Sequence, residues 1–130
     1  MALQVLQDAL KVEPNNDRIY FNLGLLYNEM NNKEEALKCL KKAVELKSGN
    51  PRVYYNYGLM MQQQGNITVA TQMYKRGLEI APEDPQLNYA LAILYLQTGQ
   101  DQQAIKPASV LKKNDPGNPE YQRIFQHLKL

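Results

Sequence analysis

Apolar and aromatic side chains recur at three- and four-residue steps along nearly the whole chain. Within residues 17–50, Tyr20, Leu23, Tyr27 and Met30 make one helical face. After a break at Asn31-Asn32, Ala36, Leu37, Leu40, Ala43, Val44 and Leu46 make a second stripe. The next stretch repeats the scheme with Tyr54, Tyr57 and Met61, a Gly65-Asn66 break, then Ala70, Tyr74, Leu78 and Ile80. A third follows with Leu87, Leu91, Leu94 and Tyr95, a break at Gly99, then Ala104, Ile105, Val110 and Leu111. Strands would alternate at every second residue, and this pattern does not. The predicted elements are therefore helices, taken in pairs.

The pairs repeat at one fixed period. Ala2, Ala36, Ala70 and Ala104 are each 34 residues apart. Gly24, Gly58 and Ala92 keep that spacing, as do Pro14, Ser48, Pro82 and Pro116, and Asp17, Pro51, Pro85 and Pro119. Ladders sharing one register mean stacked supersecondary units. Asn50-Pro51, Asp84-Pro85 and Asn118-Pro119 place a capping side chain before a proline, which at the first helical position forfeits no hydrogen bond. Gly65 and Gly99 close the first helix of their units, where a left-handed residue is needed, and Asn31 tolerates that conformation next best. Gly24 and Gly58 fall mid-helix, where glycine costs about 1 kcal/mol relative to alanine, so close helix approach is expected there. Pro107 interrupts a helix expected over 101–113, at a cost of about 3 kcal/mol or a kink.

Composition removes several functions. The 130 residues carry 15 Lys+Arg against 13 Asp+Glu, a net +2 that is too small for binding nucleic acid by bulk charge. The single cysteine, Cys39, cannot form an internal disulfide and reads as a semi-buried structural thiol; no Cys/His cluster suits zinc. No apolar run approaches the roughly 18 residues of a membrane span, so no membrane insertion is expected. The start, MALQVLQDALKVEP, lacks the basic opening of a signal peptide, which makes a cytoplasmic address the default unless the chain is a piece of a longer one. The sole histidine, His127, reads as a surface or interface imidazole. Glu34-Glu35 and Lys41-Lys42 read as a solvated helix face. No phosphate-binding glycine loop or paired acid cluster appears, so neither catalytic residues nor a metal or cofactor site is expected.

Tyr20, Leu23-Gly24, Tyr27, Ala36, Leu40 and Ala43, matched by Tyr54, Tyr57-Gly58, Ala70, Tyr74, Gly77 and Pro82, resemble the tetratricopeptide repeat, a 34-residue helix–turn–helix. The third unit keeps Leu91-Ala92, Tyr95, Ala104 and Pro116 but has Asn88 for the usual large residue and Ala108 for the usual aromatic. The resemblance implies an all-α fold, a right-handed α-α superhelix of helix–turn–helix repeats, in a single domain over 1–130. It would comprise the second helix of a truncated repeat (1–14), repeats at 17–50, 51–84 and 85–118, and a capping helix over 119–130.

In this family the first helices line a concave groove that holds peptides or protein segments. The corresponding positions here are Phe21, Asn22, Leu25 and Asn28, then Tyr55, Asn56, Leu59 and Gln62, then Tyr89, Ile93 and Leu96. Such a surface suits a partly apolar protein or peptide segment, with the asparagines available to its backbone. Some members clamp a C-terminal carboxylate with charged residues, but the matching positions here read Phe21, Leu25, Gln86 and Ala90, with only Asn56 in agreement. A non-catalytic binding module is therefore expected. The alternatives are a structural self-assembly segment and a regulatory fragment whose groove is filled by its own chain. Leu3, Leu6 and Leu10 on the unpaired first helix would carry weak homodimerisation.

Overall fold

The computed structural model describes residues 2–130. Among them every regular element is helical: α1 (Ala2–Val12), α2 (Asp17–Glu29), α3 (Lys33–Glu45), α4 (Pro51–Gln63), α5 (Ile67–Ile80), α6 (Pro85–Gln97), α7 (Asp101–Asn114), a 3-10 turn (Pro119–Tyr121) and α8 (Gln122–Leu128). The sequence predicts one capping helix over 119–130. The structure instead opens that segment with the 3-10 turn and only then continues as α8.

Helix starts follow the expected chemistry. Asn50 Oδ1 accepts from the Arg52 amide at 2.9 Å, Asp84 Oδ1 from Leu87 at 3.0 Å, and Asn118 Oδ1 from Glu120 at 2.9 Å. Asn16 caps α2 in the same way through Arg18. The second helices have caps too: Asn32 accepts from Glu35 and Asn66 from Val69. Gln100, before α7, and Tyr121, before α8, make no side-chain cap. Asn31, Gly65 and Gly99 take φ of 61°, 83° and 73°, the left-handed positions that end α2, α4 and α6.

Each first helix packs chiefly on the second helix of its own unit, α2 on α3, α4 on α5 and α6 on α7, and the pairs then stack. Small residues set the distance within a pair. A Cβ on Gly58 would lie 2.6 Å from the ring of Tyr74, and one on Gly24 would lie 3.0 Å from Leu40. In the third unit the corresponding pair is Ala92 and Ala108, both fully buried. The missing aromatic at Ala108 is thus volume exchange, a methyl gained on one helix against a ring lost on the other.

A second repeated contact spans from each first helix to the loop before it. Tyr20 Oη donates to the Pro14 carbonyl at 3.1 Å, and Tyr54 Oη to Ser48 at 2.7 Å. Asn88 Nδ2 reaches Pro82 at 3.0 Å, and Gln122 Nε2 reaches Pro116 at 2.9 Å. The donor is always six residues after the acceptor. Asn88 therefore keeps the hydrogen bond of the large residue it replaces, without the ring.

The buried side chains fall into three clusters. The largest runs from Leu40 through Tyr54, Tyr74 and Leu91 to Ala104. The second joins Ala108 and Leu111 to Tyr121, Ile124 and Phe125 of the cap. The third, Ile19, Leu23 and Cys39, is covered by α1 through Leu3, Leu6, Ala9 and Leu10. No residue of α1 is fully buried, and α7 runs on through Pro107 to Asn114.

Candidate functional site

The α2–α4 side brings the predicted groove residues of two units together. Leu25 and Asn28 of α2 and Asn56 and Leu59 of α4 line one hollow of about 260 Å³, with Leu40 and Met60 beside them. Phe21 and Asn22 line another of about 230 Å³ with Arg18 and Asn50, toward the start of α2. Asn22, Leu25 and Asn28 are exposed, whereas Phe21, Tyr55, Asn56 and Leu59 are half-buried. One amide hydrogen of Asn56 is used on its own helix, donated to the Arg52 carbonyl at 2.8 Å.

The remaining predicted residues have work inside the fold. Gln62 Oε1 accepts from the buried Tyr74 hydroxyl at 2.8 Å. The Tyr89 ring packs 5.4 Å from that of Tyr121, and Ile93 and Leu96 join it against the cap. The third rung of the aromatic and aliphatic ladders thus lies beside the cluster of α7 and the cap, half-buried as Phe21, Tyr55 and Leu59 are against the central core. Leu3, Leu6 and Leu10 face α2 rather than solvent, and the exposed apolar side chains of α1 are Val5 and Val12, 65% and 82% exposed.

One site contact was missed in the sequence. The Arg52 guanidinium hydrogen-bonds Gln86 Oε1 and Asp84 Oδ2, tying α4 to the start of α6, and lies 5.0 Å from the Tyr55 ring centre. The 34-residue interval between Arg52 and Gln86 was its available signal. His127 Nε2 and Asp101 Oδ2 meet at 2.9 Å, joining α8 to the start of α7 on an exposed surface. Burial, and secondarily Glu35, raise the Cys39 thiol, which makes it a poor nucleophile. Burial also raises the phenol of Tyr74, with a smaller contribution from Tyr55. The two hollows are lined by amides and apolar groups, with Lys33 at the first and Asp17 and Arg18 at the second. They can take an apolar side chain and hydrogen-bond its backbone, and nothing in them is activated for bond cleavage.

Comparison with known proteins agrees with this architecture. No curated protein matches the sequence significantly. Among solved structures, the crystal structure of MamA superposes with a TM-score of 0.83 at 22% identity, over 98% of this chain and 74% of that one. YrrB, described as a TPR protein with an unusual peptide-binding site, gives 0.82 at 17% identity, over 98% and 68%. The first TPR of Spaghetti (RPAP3), bound to the HSP90 peptide SRMEEVD, gives 0.71 at 14% identity, over 87% and 92%. At these identities the likeness is one of fold. The sequence itself matches the tetratricopeptide repeat at residues 18–50 and again at residues 61–127. Its register, its helix pairs and that match coincide, and the chain belongs to the tetratricopeptide repeat family.

Proposed function

We propose that the protein is a non-catalytic interaction module that holds a partly apolar peptide or helical segment on its α2–α4 side. The observation that carries this reading is the shared hollow. Leu25 and Asn28 from one unit and Leu59 and Asn56 from the next line the same space, apolar groups beside amides, as a bound backbone with apolar side chains requires. Family membership and the peptide-binding neighbours support it by analogy, which is a weaker warrant than the site itself. A charged carboxylate clamp is not part of the reading, because Phe21, Leu25, Gln86 and Ala90 supply no cations at the relevant positions.

The test is selection of binders from a displayed random-peptide library, followed by calorimetry on one selected peptide. Leu25→Glu places a charge in the hollow at an exposed position and should weaken binding at least about tenfold, or ~1.4 kcal/mol. Circular dichroism should stay native. Undiminished binding to a folded Leu25→Glu protein would place the site elsewhere. A second reading, association between copies, is supported by the outward face of α1, where Val5 and Val12 are uncovered.

A further inference from the structure

A cavity of about 490 Å³ opens between α5 and α7, over a different face of α6 from the groove residues. Asn88, Leu91 and Tyr95 of α6 form its floor, and Leu78, Pro107 and Val110 its walls. They lie ~130° around the helix from Tyr89, Ile93 and Leu96, at 100° per residue.

The repeat itself shows how this cavity arises. Thirty-four residues earlier, Tyr54, Met73 and Arg76 stand where Asn88, Pro107 and Val110 stand here. In that earlier unit the Tyr54 ring is buried and the Arg76 guanidinium stacks 5.0 Å from its centre. Replacing ring, thioether and guanidinium by an amide, a pyrrolidine and an isopropyl group removes the filling and leaves the frame. Asn88 retains only the polar function of the tyrosine, its bond to the preceding loop.

Asn88 also supplies an acceptor. It is 2% exposed, and its Nδ2 donates to both Pro82 O at 3.0 Å and Asp84 O at 2.9 Å, which fixes the amide orientation. Among the described residues no donor reaches Oδ1, which leaves it an open acceptor on a residue that lines the cavity. Proline at 107 has no N–H for the Gln103 carbonyl one turn back, also at the cavity wall. The rim carries Lys75 and Lys106 against the single carboxylate of Glu79. Neither lysine makes a salt bridge among the described residues, and Lys75 Nζ lies 5.9 Å from the Tyr95 ring centre.

We propose that the α5–α7 cavity is a second recognition site, for a peptide segment in which an apolar side chain, an amide N–H and a carboxylate lie together. The apolar side chain covers Leu91 and Tyr95, the N–H donates to Asn88 Oδ1, and the carboxylate meets Lys75 and Lys106. The volume is in the range of ligand pockets, roughly 300–1,000 Å³, and amply holds one aromatic side chain with its flanking backbone. The site is separate from the α2–α4 hollow, and its two lysines make its affinity fall with salt.

N-acetyl-phenylalanine carries all three groups and is the probe, titrated into the 130-residue chain and followed by amide chemical shifts. Saturable shifts are expected at Asn88, Leu91, Tyr95 and Gln103, with binding several-fold weaker for N-acetyl-phenylalanine amide. Asn88→Tyr with Val110→Arg rebuilds the filling of the preceding unit and should abolish those shifts while the fold persists. Should that pair fail to fold, Val110→Arg alone blocks the mouth and reads the same. Leu25→Glu should leave this binding intact, separating it from the groove. No saturable shift in the wild-type chain, equal binding of acid and amide, or shifts surviving in a folded filled variant would each overturn the proposal.

Discussion

At the scale of single residues, the glycines inside α2 and α4 occupy equivalent positions but are unequally constrained. A methyl on Gly58 meets a tyrosine ring held by the Gln62 bond and by Tyr55, whose ring centre is 6.3 Å away. A methyl on Gly24 would lie 3.0 Å from Leu40 Cγ and 3.2 Å from its Cδ2, so an aliphatic side chain need give by only a few tenths of an ångström. Gly58→Ala should therefore cost about 1–3 kcal/mol of overpacking, only partly offset by helix propensity, while Gly24→Ala should be near neutral. Chemical denaturation of both variants checks the order. The sequence marked both glycines as small by position, but which neighbour each would strike depends on the side chain across the pair. The same limit made Asn88 and Ala108 look like losses, when one keeps a hydrogen bond and the other balances Ala92. Burial also governs the response to alkali. Tyr74, Tyr57 and Tyr121 all have phenols raised by burial above their unfolded value of about 10. The folded state then binds more protons than the unfolded one above that value, so stability is full below about pH 10 and falls as pH climbs beyond it. Melting temperatures measured across that range should drop.

At the scale of elements, helix starts were legible wherever asparagine or aspartate preceded proline, because both residues act locally. The asparagines before α3 and α5 read only as breaks, although Asn32 and Asn66 are caps as well. Part of the asparagine content of this sequence is thus cap chemistry. The 3-10 turn before α8 left no periodic trace, since three residues are too few to show a period. Pro107 was legible as a local fault inside a helix expected over 101–113, and α7 does run through it to Asn114, held by its flanking contacts. The helix holds on both sides, with Ala104, Ala108 and Leu111 buried. Pro107→Ala restores one backbone hydrogen bond and should raise the melting temperature, by at most the ~3 kcal/mol an interior proline costs. Amide exchange should be faster at residues 104–109 than at the equivalent residues 70–75 in the wild-type chain, and the difference should narrow in the variant. A lower melting temperature would mean that the buried ring outweighs the missing bond.

At the scale of the whole molecule, the repeat period made the stacking of helix pairs legible, because every unit buries the same positions against its neighbours. The ends were less so, since there the pattern cannot tell which face meets protein. The ladder of groove positions was predicted to run through all three units; Tyr89, Ile93 and Leu96 pack beside the cluster of α7 and the cap, while the two hollows lie along the first two units. The other end presents the opposite case. Leu3, Leu6 and Leu10 are half-buried against α2, so replacing them would damage the fold as well as any contact between copies. Val5 and Val12 lie seven positions apart, on one face directed away from those leucines, and are 65% and 82% exposed. Their contact area is small, so association through them should be weak, with two-fold symmetry its simplest form. Sedimentation velocity over a concentration series should show the weight-average mass rising toward a dimer at the highest concentrations. Val5→Glu with Val12→Glu should return the protein to a monomer without changing its melting temperature, since neither side chain is buried in the fold. Leu3→Glu with Leu6→Glu should lower the melting temperature whether or not copies associate. A wild-type chain that stays monomeric throughout the series would mean that the valines are simply solvated, and a dimer unmoved by the valine substitutions would put the contact on the α2–α4 hollows instead.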